Sequence, residues 1–221
     1  MHPIGNLLMG LSFLALVAGG GVLVYALRTD RPALARHVGM FALGWGALYL
    51  IVLFGTSLLS EEHVLHLNER KDFCGFYLDC HLGVSVEHVA QATYVGEGAL
   101  QETATGMFYL ITVRVDNDGV QADIPLLNPR ATLHDARGRT YERALEAEKA
   151  LAASEGTSVA FARRLPAGSS YTKTLVFDVP ANVTSPTLLI TKGVAVERFI
   201  ELFLIGDEDS FLHRKTVFDV S

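Results

Sequence analysis

The sequence predicts a mainly β protein in which a two-helix transmembrane hairpin precedes an antiparallel β-sandwich. Three observations support this fold class. Long uncharged runs are confined to the first 60 residues, short segments of alternating polarity fill most of the rest, and turn residues separate those segments. Half of the chain is apolar and 19% is charged, a balance too apolar for one ordinary soluble domain and too polar for a transporter with many spans.

Two uncharged segments predict the hairpin. Residues 4–27 would extend about 36 Å as a helix, more than the roughly 30 Å hydrocarbon core of a bilayer. Residues 38–59 have a similar reach and carry Trp45 and Tyr49 among aliphatic residues. A cleaved signal peptide is the alternative for the first segment, but no Lys or Arg precedes it, and the run is longer than a signal peptide requires.

The connector between the spans determines the predicted orientation. Residues 28–37 hold three arginines against one aspartate, whereas two glutamates follow the second span. The positive-inside rule therefore predicts that the connector is cytoplasmic and that both termini, with all residues after Leu59, are extracytoplasmic. The predicted domains are the hairpin (1–60), a juxtamembrane segment with the cysteine pair (61–83) and the sandwich (84–221).

The region after the second span is acidic. Three of the 18 Lys and Arg residues and one of the 24 Asp and Glu residues precede Ser60, so the rest of the chain carries a net charge of −8. Proteins that bind nucleic acids usually present a basic surface. The composition therefore excludes a nucleic-acid partner.

The segment GMFYLITVRVDNDG is the clearest predicted strand, because its side chains alternate and it ends in turn residues. One alternating set is Phe108, Leu110, Thr112 and Arg114, and the other is Tyr109, Ile111, Val113 and Val115.

Other segments complete the predicted sandwich. ATLHDARGRTYE predicts a hairpin around the turn DARG, and SYTKTLVFDV predicts a strand between the turn PAGS and Pro180. The apolar runs TLLI and RFIELFLI are predicted as further strands. Residues 145–154, LEAEKALAAS, are rich in helix formers and predict a short helix between strands.

These motifs resemble a known family. MFYLITVRVDNDG, ATLHDARGRTYE and LPAGSSYTKTLVFDVP are similar to the DUF4352-type immunoglobulin-like domain of bacterial lipoproteins and membrane-anchored surface proteins, over residues 84–192. The resemblance implies an immunoglobulin-like sandwich outside the bacterial inner membrane, and it implies no catalytic residues. The two-span hairpin departs from the lipid or single-helix anchor usual there, and FCGFYLDCH lies outside the domain pattern.

Both cysteines lie in that segment. In an oxidising compartment Cys74 and Cys80 are predicted to form a disulfide, which would contribute about 2 kcal/mol because the closed loop is short. The alternative is that Cys74, Cys80 and His81 bind copper or zinc, since thiolates and imidazole suit both metals. The spacing matches neither a haem-attachment motif nor a thioredoxin-like motif.

Further candidate ligands lie on either side of the sandwich. His63, His66 and His88 could extend a metal site, and the first two are predicted on a helix that continues the second span. Near the C-terminus, the acidic residues 207–209 could bind calcium, but an EF-hand spacing is missing. Solvated loop charges before a last edge strand are the preferred interpretation.

The predicted function is that of a membrane-anchored, extracytoplasmic binding or envelope-assembly module. Its expected partners are the lipid bilayer and another envelope or membrane protein, and no cofactor is expected. The alternative is metal handling or electron transfer through Cys74, Cys80 and His81, with copper or zinc as the cofactor. None of the catalytic motifs of hydrolases, metalloproteases or nucleotide-binding enzymes occurs, so a binding protein is preferred to an enzyme.

Overall fold

The computed structural model describes residues 3–73, 80–157 and 160–221. The helices are α1 (Pro3–Arg28), α2 (Pro32–Leu58), α3 (Leu145–Glu155) and α4 (Ala195–Glu201), with a short 3-10 helix at Gly98–Leu100. The strands are β1 (His63–Leu65), β2 (Arg70–Phe73), β3 (Leu82–Val95), β4 (Glu102–Asn117), β5 (Ile124–Pro125), β6 (Arg130–His134), β7 (Thr140–Tyr141), β8 (Arg164–Leu165), β9 (Ser170–Val179), β10 (Thr187–Thr191) and β11 (Thr216–Asp219).

The chain forms two compact units. The helical unit comprises Met1–Glu61 and Ala195–Lys215, and the sandwich unit comprises Glu62–Val194 and Thr216–Ser221. The predicted sandwich, 84–221, differs from the observed unit in two places. β1 and β2 belong to the sandwich although they precede residue 84, and residues 195–215 belong with the helices although they lie late in the sequence.

The helical unit contains the predicted hairpin. α1 and α2 are long and apolar enough to cross a membrane, judged by length and composition. Most of their apolar side chains are exposed, and Trp45 Nε1 donates a hydrogen bond to Ser12 Oγ at 3.1 Å between the helices. The connector is shorter than predicted, because α2 begins at Pro32, a residue suited to the first helical turn. Arg36 therefore lies within α2.

One strand prediction was wrong for residues 195–215. The run RFIELFLI was predicted as a strand, but its first residues lie in α4 and the rest form turns. The physical reason is the spacing of the apolar side chains: Val196, Phe199 and Phe203 follow one another at helical intervals and do not alternate with polar residues.

The sandwich has two main sheets. One has the strand order β2-β3-β4-β9, all antiparallel, and the other has the order β1-β11-β10-β6-β7. β5 and β8 form a separate two-stranded ribbon. The antiparallel sandwich, the DARG hairpin between β6 and β7, and the strands β4, β9 and β10 are confirmed.

β4 shows how alternation builds the core. Ile111, Val113 and Val115 are fully buried and face the other sheet, where Leu133, Leu188, Ile190 and Phe218 are also fully buried. The opposite face of β4 is covered only at one end, where α3 packs on Phe108 and Val176 through Ala147. The predicted helix over 145–154 is thus confirmed and covers the outer face of this sheet.

Two further predictions were wrong for the segment that follows α2 and for the last strand, with which it pairs. His63 and His66 were predicted on a helical extension, but α2 ends at Leu58 and His63 begins β1. β1 pairs in parallel with β11, and β11 also pairs with β10. The last strand is therefore an inner strand and β1 forms the edge. The helical extension fails because residues 63–65 gain backbone hydrogen bonds from β11 that a helix would not provide.

Candidate functional site

A cluster of charged side chains lies on β2, β3 and β4 near the predicted cysteine site. Arg70 Nη1 donates to Asp118 Oδ2 at 2.7 Å, and Arg70 Nη2 donates to the His81 carbonyl at 3.2 Å. Arg70 Nε lies 3.1 Å from Asp116 Oδ2 and 3.2 Å from Asp72 Oδ1. We refer to these five residues as the Arg70 cluster.

Gly83 provides the space for this arrangement. Gly83 pairs with Asp72 and Asp116 on the two neighbouring strands. A Cβ atom on Gly83 would lie 1.8 Å from Arg70 Nε, so the side chain of Arg70 crosses β3 where β3 has no side chain of its own. The glycine thus allows one guanidinium to reach carboxylates on both sides of the strand.

Two carboxylates of the Arg70 cluster have pKa values that shift in opposite directions. Hydrogen bonds from His81 and Arg70 lower the pKa of Asp118. Burial raises the pKa of Asp116, although Arg70 and Arg114 oppose the change. The cluster therefore holds Asp118 ionised beside His81, an arrangement that stabilises the strand ends.

The predicted disulfide and the alternative metal site both require Cys74. This residue, with 75–79, lies outside the described residues. Cys80 immediately precedes His81 and the Arg70 cluster. Both the Cys74–Cys80 disulfide and the Cys74, Cys80 and His81 metal set therefore stay predictions.

The histidines are not gathered around Cys80. His81 Nδ1 lies 2.7 Å from Asp118 Oδ1. His63 lies on β1, His66 Nδ1 lies 3.8 Å from Asp219 Oδ2, and His88 is exposed on β3. Within 3–73, 80–157 and 160–221, no group of three His, Cys, Asp or Glu side chains is arranged to hold a metal ion.

The acidic residues near the C-terminus are used internally. Asp207 is buried, and the Asp209 backbone N–H donates to its Oδ1 at 2.9 Å. Asp209 pairs with Lys215. The interpretation of these residues as solvated loop charges is wrong for Asp207, because the turns at Leu204 and Ser210 enclose its side chain.

A groove between α3 and β9 is a feature that the sequence did not indicate. It has a volume of about 220 Å³ and adjoins a more open depression of about 700 Å³, with which it shares Glu148, Ala152, Thr157 and Lys173. Hydroxyl, carboxylate and ammonium groups share its walls with apolar side chains of α3. The groove is lined by Glu148, Leu151, Ala152, Glu155, Thr157, Tyr171, Thr172, Lys173 and Thr174.

A buried ion pair lies beside the α3–β9 groove and shares Glu148 with the groove lining. Arg143 Nε donates to Glu148 Oε1 at 2.7 Å, and Arg143 Nη2 donates to Glu148 Oε2. The Val176 backbone N–H donates to Glu148 Oε1 at 3.2 Å, and Lys173 Nζ lies 3.7 Å from Oε2. The Arg143 guanidinium lies 5.2 Å from the centre of the Phe161 ring. The groove therefore combines charged and hydroxyl groups with apolar side chains of α3.

The sequence contained one indirect signal for this groove. Glu148 lies in the predicted helix, where charged residues usually face solvent, but its neighbours Ala147 and Ala150 are small enough to let α3 approach the sheet. A glutamate between small residues on a sheet-packing helix is the pattern that could have identified it.

The motif residues that carried the family resemblance have structural roles. Asn117 is buried at the end of β4, donates to the Ala122 and Leu165 carbonyls, and accepts from the Gly119 N–H. Asp135 accepts hydrogen bonds from both backbone and side-chain donors in the DARG turn. These residues shape turns.

Three solved structures are similar in fold, and each alignment covers most of the matched protein. A conserved hypothetical protein from Bacillus anthracis has 16% identity and a TM-score of 0.40, over 54% of this chain and 86% of that chain. The secreted protein MPT63 from Mycobacterium tuberculosis has 17% identity and a TM-score of 0.42, over 62% and 93%. An uncharacterized β-sandwich protein from Clostridium difficile has 11% identity and a TM-score of 0.41, over 73% and 96%.

No curated protein matches this chain. The family comparison gives a match to the domain of unknown function DUF4352 over residues 79–198. This range extends beyond the predicted 84–192 at both ends and includes Cys80, His81, the α3–β9 groove and the first residues of α4. The strand and turn motifs thus pointed to the correct family, and the chain belongs to the DUF4352 family.

Proposed function

We propose that this protein is a membrane-anchored module that presents its β-sandwich outside the cytoplasm and binds another envelope component. The observation that carries the proposal is the pair of helices α1 and α2, whose apolar side chains are exposed along helices long enough to span a bilayer. Exposed apolar surface on this scale is unfavourable in water and favourable in lipid. Arg28, Arg31 and Arg36 lie at the connected ends of the two helices, which the positive-inside rule assigns to the cytoplasm.

Reporter fusions test the orientation. Alkaline phosphatase, which folds only in an oxidising compartment, is fused after Ser221 in one variant and within the connector after Thr29 in a matched control. We expect activity from the first fusion and none from the second. The reverse pattern would show that the sandwich is cytoplasmic and would contradict the proposed display.

The α3–β9 groove supports the binding part of the proposal. It combines a buried ion pair, which fixes its shape, with hydroxyl groups on β9 and an apolar wall on α3. Binding sites commonly combine an apolar wall with a few fixed polar groups. We therefore propose this groove as the surface for a partner in the envelope.

A photo-crosslinking experiment tests the groove. A photoreactive amino acid replaces Ala152 in the groove wall, and the matched control carries it at Val120, which is 90% exposed in a turn of the same sandwich unit. After irradiation of intact cells, we expect a discrete adduct from position 152 and none from position 120. Equal labelling at both positions would assign the contact to chance collisions and reject the groove.

Metal handling is the second candidate function, and one observation favours it. The hydrogen bond between His81 and Asp118 resembles the way carboxylates orient metal-binding imidazoles in metalloproteins.

We propose that Cys74 and Cys80 form a disulfide when the protein acts as a display module. Thiol counting with elemental analysis separates the two: stoichiometric copper or zinc with two protected thiols supports the metal site, and a bridged pair without metal supports the disulfide.

A further inference from the structure

Residues 195–215 form a third apolar element of the helical unit. We refer to this stretch as the late segment. It contains α4 and the turns that follow, and it belongs with α1 and α2 although the chain reaches it only after ten strands. Large apolar side chains of the late segment remain exposed: Val196, Phe199, Leu202, Phe203, Phe211 and Leu212.

Specific contacts hold the late segment against the outer ends of the hairpin. The Tyr49 hydroxyl donates to the Phe203 carbonyl at 2.6 Å, and the rings of Phe54 and Phe211 meet edge to face with centres 5.8 Å apart. At the other helix, a Cβ on Gly5 would lie 2.3 Å from the Ile205 carbonyl oxygen. The glycine therefore allows the backbone of the late segment to approach α1 closely.

These contacts give the depth of the late segment along α2. Tyr49 lies nine residues before Leu58, the last residue of α2, which corresponds to about 13 Å along the helix axis. Ser210 Oγ lies 3.2 Å from Ser57 Oγ, and the Arg214 N–H donates to Ser60 Oγ at 2.9 Å. The segment thus descends beside α2 to the level of Tyr49 and returns to the end of the helix.

The backbone of the late segment is compatible with an apolar environment. Non-helical backbone at membrane depth requires internal hydrogen bonds. The Phe211 N–H donates to the Leu202 carbonyl at 3.0 Å, the Leu204 N–H to the Glu201 carbonyl at 3.0 Å, and the Ser210 N–H to the Asp207 carbonyl at 3.1 Å. The side chains of Glu201, Asp207 and Ser210 are buried within the unit. These three side chains therefore face inward, whereas Arg198 and Arg214 are exposed, as are Phe199, Phe203 and Phe211.

We propose that the late segment is a re-entrant membrane element whose exposed aromatic face contacts lipid acyl chains of the outer leaflet. This inference rests on the proposed function, because it requires the hairpin to span the bilayer. The occupant is lipid because the late segment packs against α2, and the apolar side chains of α1 and α2 in the same unit are exposed. Phe199 and Phe203 pack edge to face with ring centres 5.4 Å apart and present a broad apolar surface.

Tryptophan quenching in lipid nanodiscs tests the proposal with the full chain. Trp45 in α2 is the natural tryptophan, and its quenching by brominated phospholipids is measured first. A Trp45→Phe background then receives Phe203→Trp as the reporter, or Val120→Trp as the matched control in the sandwich unit. Circular dichroism verifies that each variant retains its fold, and Phe199→Trp serves as a second reporter if Phe203→Trp does not.

We expect the reporter at position 203 to lose intensity with brominated lipid and to emit at a shorter wavelength than the control at position 120. We expect the control to lose intensity only with acrylamide. A reporter quenched by acrylamide alone would place the segment in water, and a reporter protected from both quenchers would place it against protein, such as a second copy. Either result overturns the proposal. If Trp45 itself escapes brominated lipid, the hairpin does not span and the proposed function fails as well.

Discussion

Tyr171, in β9, holds the chain at Phe161, just before β8, through one buried hydrogen bond. Its hydroxyl donates to the Phe161 carbonyl at 2.5 Å, and the Arg163 guanidinium lies 5.9 Å from the centre of its ring. Burial raises the pKa of Tyr171 to about 12, although Arg163 opposes the change. The hydroxyl is therefore protonated, and can donate, at neutral pH.

The substitution Tyr171→Phe should destabilise the sandwich. It leaves the Phe161 carbonyl buried without this donor, which costs about 1–3 kcal/mol of unfolding free energy. Urea denaturation measures the loss. The control is Tyr94→Phe at an exposed ring on β3, which should leave the midpoint unchanged. A loss in the control that equals the loss in Tyr171→Phe would contradict the role of the buried hydrogen bond.

Asp135 should make stability depend on pH in the acidic range. Burial opposes its ionisation, but hydrogen bonds from Arg139, Arg137 and Tyr141 outweigh this and lower its pKa to about 2. Because the pKa is lower in the folded state than the usual value near 3.9, ionised Asp135 stabilises the fold. This contribution is fully present above the unfolded pKa and is lost as the pH falls towards 2.

The substitution Asp135→Asn should remove this part of the pH dependence. We expect Asp135→Asn to be less stable than the parent protein at neutral pH and the difference to shrink between about pH 4 and pH 2. Thermal denaturation across this range measures it. The control is Asp123→Asn, at an exposed residue before β5. A stability difference that stays constant down to pH 2 would contradict the pKa assignment.

For single residues, the sequence predicted where turns occur, but it did not predict which side chains form hydrogen bonds within them. DARG was identified as a hairpin turn because glycine and aspartate favour turns, and Gly138 has a φ of +75°. That the Asp135 side chain would be enclosed by donors depends on Arg139 and Tyr141 folding back over it. Spacing alone does not specify this rotamer choice. The same limit applies to Glu148, whose partners Arg143 and Val176 come from different elements.

The docking of α3 on the sheet depends on the ion pair between Arg143 and Glu148. Their side chains are 19% and 5% exposed. Glu148→Ala would leave the Arg143 guanidinium and the Val176 N–H without their main acceptor in a poorly solvated site. Removing one partner of a buried ion pair costs about 3–5 kcal/mol of unfolding free energy.

The matched control lies one residue further along the same helix. Lys149 pairs with Glu146, and both side chains are more than 70% exposed. Lys149→Ala should therefore change the free energy of unfolding by less than about 1 kcal/mol. Guanidinium denaturation of both variants makes the comparison. Similar losses in the two variants would show that helix propensity, and not the buried pair, controls the docking.

At the scale of elements, periodicity decided which predictions succeeded. β4 and β9 alternate over long stretches and were predicted correctly, and α3 contains strong helix formers. The strand prediction for RFIELFLI was wrong because a short apolar run is compatible with strand or helix, and the residues it contacts, Tyr49 and Gly5, are distant in sequence. The helix prediction for residues 63–65 was wrong for a similar reason, since β1 pairs with β11, which lies near the other end of the sequence.

The late segment is an insertion between two adjacent strands of one sheet. β10 and β11 pair antiparallel, with Leu188 opposite Phe218. The connected ends of such neighbours lie on the same side of the sheet, so a short hairpin loop could join them. The chain instead leaves the sandwich unit at Val194 and returns at Thr216. The sandwich therefore does not need the late segment to complete its sheets.

A shortened protein should separate the two units. We expect residues 62–221, with Ala195–Lys215 replaced by a Gly-Ser linker of about five residues, to fold as a soluble sandwich. The core residues Phe177, Phe218 and Ile190 are all retained in it. The matched control keeps residues 195–215 and should bind vesicles or aggregate, because its aromatic side chains no longer pack against α2.

Size-exclusion chromatography and vesicle flotation measure the difference between the two shortened proteins. Cooperative thermal unfolding of the linker variant, without flotation, would establish that the sandwich unit folds by its own core. If the linker variant fails to fold while the control does fold, residues 195–215 are part of the folding unit of the sandwich and the division into two units is wrong. If both float equally with vesicles, a surface of the sandwich binds lipid directly. The hairpin and the late segment would then not be the protein's only membrane contacts.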